Sequence, residues 1–252
     1  MKLSVIIPAR DESGCVTGTV SSVLSALRHE GIPREILVVD DGSTDATAEL
    51  VAELARREPD VRLVRNRGRH GYGMAVRMGI EYSTGDAVAV LMADASDDPA
   101  DLVRYYRKLE EGYECVFGSR FMHDSRLIDY PPHKLLLNRC ANFFIKFLFR
   151  LRLNDITNAF KCYRREVIEA MQPLISPHFN LTVEMPLKAI IRGFSYAVIP
   201  ISWTNRKSGI SKLRLKEMGS RYLFIVLYLW LEKSLSRGDY HRKQQEPKAQ
   251  HV

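Results

Sequence analysis

Val5-Ile6-Ile7-Pro8-Ala9-Arg10-Asp11-Glu12 and Val38-Val39-Asp40-Asp41-Gly42-Ser43-Thr44-Asp45 decide how this chain is read. Each is a short apolar run that stops abruptly at carboxylates, hydroxyls or a turn residue. A run with no polar member inside suits a strand covered on both faces. Working outward, similar runs recur at 61–64, 87–92 and 114–118, while 16–29, 46–58, 74–82 and 99–111 carry the apolar spacing of amphipathic helices. Strand and helix in alternation predict an α/β fold, a mostly parallel sheet with helices on both faces. Asp98 before Pro99 reads as the N-cap of one helix, and Ser43, Thr44 and Asp45 offer caps for another.

After about residue 130 the rhythm changes. The pattern predicts a long basic helix over 134–151, a strand at 160–163, helices at 166–171 and 183–192, and a strand at 195–201. A polar loop over 202–212, a helix over 213–234 and a polar tail follow. No linker rich in Gly, Pro or Ser separates the halves, so 1–212 reads as one domain, 213–235 as an appended amphipathic helix and 236–252 as disordered. With 252 residues, 46% hydrophobic and 27% charged, the chain can bury a full core, which excludes mini-proteins, repeat arrays and global disorder. Cys15, Cys115, Cys140 and Cys162 have no zinc spacing and are expected as buried, reduced thiols. Residues 1–130 carry 16 Lys+Arg against 22 Asp+Glu, and 131–252 carry 21 against 8. A half at −6 is thus joined to a half at +13, and the second expects an anionic partner.

Met1-Lys2 leads straight into a short apolar run ending at Pro8, which is no secretory signal and predicts cytosolic synthesis. The longest apolar run, 222–231, would cover roughly 15 Å as a helix where a bilayer core needs about 30 Å.

In parallel α/β sheets ligands bind beyond the carboxyl ends of the strands. Five such ends are polar here, including 8–12, 40–43 and 94–98. Alone, 41–45 would serve as a turn and helix cap. Together, the acidic clusters repel each other unless a cation intervenes, and carboxylates beside hydroxyls suit Mg²⁺ or Mn²⁺. Since Mg²⁺ keeps only one or two carboxylates, a phosphate-bearing ligand is expected. Gly71-Tyr72-Gly73 before a helix is not a dinucleotide fingerprint, because Val76 holds the third glycine's place and the segment follows the third strand. No Walker loop, nucleophile elbow or His-Glu-x-x-His is present.

In order, the chain carries the two opening motifs, Gly71-x-Gly73-x-Ala75-x-Arg77-x-Gly79, an acidic motif after the fourth strand, Gly118-Ser119-Arg120-Phe121, Asp155-Ile156-Thr157-Asn158-Ala159-Phe160 and Arg206-x-x-Gly209-x-Ser211-Lys212-Leu213. This set resembles the family-2 inverting glycosyltransferases of GT-A fold, and among them the dolichol- or polyprenyl-phosphate mannosyltransferases. The resemblance implies that Pro8, Ala9 and Glu12 contact the nucleoside, that Asp40, with Asp41 beside it, meets the base or ribose, and that Gly71 belongs to the glycine loop. It implies Mg²⁺ or Mn²⁺ on the acidic motif. There the chain departs from the family, whose Met-Asp-Ala-Asp-Leu-Gln-His-Pro is Met92-Ala93-Asp94-Ala95-Ser96-Asp97-Asp98-Pro99. Both family aspartates fall on alanines, so Asp97 first and Asp94 second become the metal ligands expected, and Asp98 the helix cap.

For an acceptor phosphate the resemblance implies Arg120 and Arg206, with the family's Arg-x-x-x-Ser pair replaced by Lys134 and Asn138. The loop 204–212, ending at Lys212, is expected to close over the reactants. A phosphate acceptor needs no strong base; a hydroxyl acceptor would, and Glu184 is the candidate, otherwise a helix-face partner of Lys188. The expectation is therefore transfer of a hexose, mannose from GDP-mannose first, to a polyprenyl phosphate at the cytoplasmic membrane face, with no nucleic acid as partner. The alternatives are a UDP-sugar donor with a non-lipid acceptor, or a catalytically impaired sugar-nucleotide-binding subunit. The basic helices 134–152 and 213–234, with their aromatic residues, are expected to lie on an anionic leaflet, or else to pack into the core or a homodimer interface.

Overall fold

The computed structural model of the protein describes residues 1–205 and 215–242. Its strands are β1 (Leu3–Ala9), β2 (Arg34–Asp40), β3 (Val61–Arg65), β4 (Ala87–Val90), β5 (Cys115–Ser119), β6 (Arg126–Ile128), β7 (Lys161–Arg164), β8 (Tyr196–Pro200) and β9 (Ser202–Thr204). Its helices are α1 (Val16–His29), α2 (Thr47–Arg57), α3 (Tyr72–Tyr82), α4 (Pro99–Glu110), α5 (Pro132–Phe149), α6 (Arg165–Ala170), α7 (Leu181–Ile191) and α8 (Leu215–Leu235). Seven strands form one sheet in the order β3-β2-β1-β4-β7-β5-β8. Neighbours run parallel except β7, which is antiparallel to both β4 and β5.

Alternation along the strands builds two cores. Leu3, Val5 and Ile7 of β1 pack with Val16, Val20 and Leu27 of α1 and with α2 and α4, whereas Ile6 packs against Val76 and Ile80 of α3 on the opposite face. The second face is completed by α5, α6, α7 and α8. β1, β2 and β4 are buried along almost their whole length because neither face meets water there, whereas the edge strand β3 exposes Arg62 and Arg65.

Pro99 opens α4, and Asp98 accepts a hydrogen bond from the Ala100 amide at 2.9 Å, as the cap signal requires. The N-cap of α2 is Ala46, which offers no side-chain hydrogen bond, and Asp45 just before it accepts from the Thr47 amide at 3.0 Å; Ser43 and Thr44 turn instead to the loop after β1.

Three expectations are corrected. The stretch 202–212 does not begin as loop: Ser202–Thr204 pairs in parallel with Arg126–Ile128 in a separate two-stranded sheet. The start of the tail is not disordered, since the Arg242 amide donates to the Arg192 carbonyl at 3.0 Å and its guanidinium lies over Phe194 and pairs with Glu114. Cys140 is exposed on α5, Cys15 is partly buried, and only Cys115 and Cys162 are fully inside.

The ambiguity over α8 resolves by face. Ile225, Val226 and Leu229 are in the core, and Lys233 donates to the Phe149 carbonyl of α5 at 2.7 Å. Leu223, Phe224, Leu227 and Trp230 point outward, as do Phe143 and Phe147 of α5, at 71% and 76% exposure. No helix among the described residues is long and apolar enough to cross a membrane.

Candidate functional site

Strand order reverses at β1, whose neighbours β2 and β4 lead to opposite edges of the sheet, and a crevice opens beyond the strand ends at such a point. Here it is a cavity of about 710 Å³. Three loops are laced together at its rim. The Asp11 amide donates to Ser43 Oγ at 3.0 Å, Asp11 Oδ1 accepts from the Thr44 amide at 2.7 Å, and the Glu12 amide donates to Thr47 Oγ1 at 2.8 Å. Asp41 ties in the third loop: Oδ1 accepts from Asn66 Nδ2 at 2.7 Å and Oδ2 from the Gly71 amide at 2.8 Å. The Asp-Gly-Ser-Thr-Asp motif thus fixes the floor on which Pro8, Ala9 and Glu12 line the cavity.

The glycine loop works by close approach. Gly71 has φ of +146°, and a methyl group on it or on Gly73 would strike the backbone at Ser176 and Pro177. This lets Tyr72 stack on Phe179 at 4.4 Å, both rings lining the cavity.

The acidic loop after β4 puts two buried carboxylates on one wall. Asp97 Oδ2 accepts from the Met92 amide and Asp94 Oδ1 from the Ser96 amide, both at 3.2 Å, and the turn between them runs through Ala95 at φ +58°. Burial first and the Asp94 charge second push the Asp97 carboxyl up to about 7. Asp97 Oδ1 accepts no hydrogen bond from a described residue. No group of three or more His, Cys, Asp and Glu that could hold a metal occurs among the described residues. A buried like-charged pair with a carboxylate oxygen to spare fits a hard divalent cation that completes its shell with water and phosphate, and Asp94 and Asp97 would hold it.

A second part of the lining is a hydrogen-bonded cluster. Arg120 Nε and Nη2 each bond Asp155 at 2.8 Å, and its amide bonds the same carboxylate at 3.0 Å. Asn142 Oδ1 accepts from the Ile156 amide at 2.6 Å, and its Nδ2 donates to Asn138 Oδ1 at 2.6 Å and Thr157 Oγ1 at 3.0 Å. Asn138 Nδ2 reaches Tyr130 Oη at 3.0 Å. Arg120, Lys134 and Asn138 all line the cavity. Asp155 neutralises Arg120, so Arg120 is a rigid, oriented donor, and Lys134 adds a further positive charge to the lining.

Ten of the residues singled out in the sequence therefore meet at one cavity: Pro8, Ala9, Glu12, Asp41, Gly71, Asp94, Asp97, Arg120, Lys134 and Asn138. Two do not. Asp40 accepts from the Ser43 amide at 3.2 Å and lies off the lining, its neighbour Asp41 facing in. Glu184 is wholly buried, its oxygens accepting from the Ile175 and Ser176 amides and pairing with Lys188 at 2.8 Å, so it is withdrawn as a base. Arg206 and Lys212 lie outside the described residues. Asp155 and Thr157, quoted in a motif without a role, orient Arg120 and Asn138; Asn142 went unread, although a buried amide inside an apolar helix stripe is a signal in itself.

The glycosyl transferase family 2 model matches residues 4–171. Polyprenol monophosphomannose synthase of Mycolicibacterium smegmatis is 33% identical over 216 residues, covering 83% of this chain and 80% of its own. Glycosyltransferase AglD of Haloferax volcanii is 28% identical over 208 residues, 81% of this chain but 33% of that longer protein. Glucosyl-3-phosphoglycerate synthase from Mycobacterium tuberculosis, crystallised with Mn²⁺, UDP and glucosyl-3-phosphoglycerate, superposes over 92% of this chain and 79% of its own with a TM-score of 0.68 at 18% identity. The same enzyme crystallised with Mg²⁺ and UDP gives 0.67. At that identity the likeness establishes the GT-A fold, and with the family match it closes the assignment: the chain belongs to glycosyl transferase family 2 and is a glycosyltransferase.

Proposed function

We propose that the protein transfers a hexose, mannose from GDP-mannose in the favoured case, to the phosphate of a polyprenyl phosphate, with Mg²⁺ or Mn²⁺ on Asp94 and Asp97. One observation carries the reading: a single cavity is lined both by a buried carboxylate pair and by Arg120, Lys134 and Asn138. That is the arrangement two anionic reactants need, one neutralised by a cation and the other by protein donors. The polyprenol monophosphomannose synthase relative supports the acceptor.

A bound divalent cation would offset the charge of the donor diphosphate and of the leaving nucleoside diphosphate. Arg120, held square by Asp155, and Lys134 orient the acceptor phosphate. A phosphate monoester has a second pKa of about 6, so it is mostly dianionic at neutral pH and attacks without a base. The loss of Glu184 as a base candidate accords with such an acceptor. The outward apolar residues of α5 and α8 support peripheral contact with a membrane, proposed at its cytoplasmic face.

The test is incubation of the purified protein with a prenyl phosphate and a panel of GDP- and UDP-sugars, with Mn²⁺, Mg²⁺ or chelator. A prenyl-phosphate-linked hexose is expected, abolished by chelator, and Asp97→Ala should lower turnover about 10²- to 10³-fold. Full activity in chelator would remove the metal assignment. Sugar-nucleotide binding without turnover on any acceptor would favour the partner-subunit alternative.

A further inference from the structure

Two aromatic rings link the acidic loop to the Arg120 cluster. Tyr130 and Trp203 line it with ring centroids 4.8 Å apart and planes inclined at 57°. Each ring is fixed from a different side. Trp203 is the middle residue of β9; its backbone forms an antiparallel bridge with Asp97, and the Thr204 amide donates to the Ser96 carbonyl at 3.0 Å. The indole therefore shares a backbone register with the acidic loop. Tyr130 follows β6, the strand paired with β9, and its hydroxyl accepts from Asn138 Nδ2 while the Arg120 guanidinium lies 5.8 Å from its ring centre. Neither ring is fully buried.

Resting on the glycosyl-transfer reading, we propose that Trp203, backed by Tyr130, is the platform that receives the transferred hexose. Trp203 is bridged to Asp97 and Tyr130 lies against Arg120, so the ring pair joins the donor end of the cavity to the acceptor end. A pyranose has an apolar C–H face that a flat indole covers at no conformational cost. In the transfer, a phosphate oxygen of the acceptor bonds the anomeric carbon as the bond from that carbon to the diphosphate oxygen breaks, the electron pair leaving with the nucleoside diphosphate. No proton moves. Positive charge develops on the anomeric carbon and ring oxygen in between, and the negative face of an indole attracts it. The prenyl chain is a poor occupant here, because Asp97, Arg120, Asn138 and Asn205 flank the pair with charge and amides.

The chain has 2 tryptophans, and Trp230 lies on the outward face of α8, off the cavity. In Trp230→Phe the emission therefore reports Trp203 alone. Titration of that variant with GDP, GDP-mannose and prenyl phosphate, and with UDP and UDP-glucose, should show the sugar nucleotide shifting or quenching the indole beyond its free nucleoside diphosphate, and prenyl phosphate alone leaving it unchanged. Equal responses to sugar nucleotide and nucleoside diphosphate, or a response to prenyl phosphate alone, would overturn the platform. In turnover, Trp203→Leu should lower kcat about tenfold or more and more than Trp203→Phe, which keeps an aromatic face, with affinity for the nucleoside diphosphate within about twofold. Wild-type kcat in Trp203→Leu would equally overturn it. Should the wild-type protein glycosylate no prenyl phosphate, the acceptor assignment falls alone, since the indole response to the donor pair still decides the platform.

Discussion

Asp97 is in a state that a cation or a proton relieves. Its carboxyl lies at about 7 in the fold, against about 3.9 for an exposed aspartate, because burial and then Asp94 oppose its charge. A raised acid binds its proton more tightly folded than unfolded, so ionisation costs the fold nothing below about pH 4, an increasing amount between 4 and 7, and its full amount above 7. A divalent cation should remove that cost. Thermal melts are expected to show Mn²⁺ or Mg²⁺ raising Tm more at pH 8 than at pH 6, where a proton competes, and Asp97→Asn should lose most of the increment; an increment independent of pH would contradict this account. At this scale the sequence was informative but not decisive. The rule that ligands meet strand ends collected Pro8, Ala9, Glu12, Asp41, Asp94, Asp97 and Arg120, and the family resemblance added Gly71, Lys134 and Asn138, yet the rule could not choose between Asp40 and Asp41, because the regular alternation of faces stops where the strand does. Glu184 looked available in sequence only because the two backbone amides that engage it, at Ile175 and Ser176, come from a loop without periodicity.

Among the elements, the glycine loop and α1 make opposite uses of the same residue. Gly73 sits where a methyl would meet the carbonyl of Ser176 and the backbone of Pro177 and His178, and the Met74 amide beside it donates to the Pro177 carbonyl at 3.2 Å. Gly18 is exposed in the first turn of α1 with open space around it. Gly73→Ala should therefore destabilise by roughly 1–3 kcal/mol and weaken donor binding, whereas Gly18→Ala should stabilise by roughly 0.5–1 kcal/mol with activity unchanged. Melting curves of the two variants, with nucleotide titrations, check both signs. Elements of the first half were legible because a pure apolar run bounded by polar ends suits only a covered strand. Arg126–Ile128 and Ser202–Thr204 were not: three residues carry no period, and their pairing joins segments far apart in the chain. The direction of β7 was equally hidden, since Lys161–Arg164 has the same composition whichever way it runs.

For the whole molecule, the charge division of the sequence, −6 in 1–130 and +13 in 131–252, lies along the same chain half as the outward apolar faces of α5 and α8. A basic, apolar surface of this kind should seat on an anionic bilayer, with each basic residue near the surface adding about 1 kcal/mol. Flotation with vesicles containing anionic lipid is expected to carry the protein upward at low salt and to release it as salt rises. Replacing Phe143 and Phe147 by Ser should weaken flotation without lowering Tm, because both side chains are exposed; unaltered flotation would move the contact elsewhere. The antiparallel strand in the middle of the sheet has a further effect, on how the protein is made. β5 leaves the ribosome with no neighbour, since β7 and β8, the strands that flank it, are synthesised later, and β4 must also wait for β7 to close its edge. At about 5–20 residues per second the wait lasts some seconds. During it the first four strands can stand as a finished half-sheet, while Ala87–Val90 and Cys115–Ser119 offer unpaired backbone and apolar side chains to any partner. Exchange of these strands between neighbouring nascent copies is the assembly error to which this topology exposes the chain.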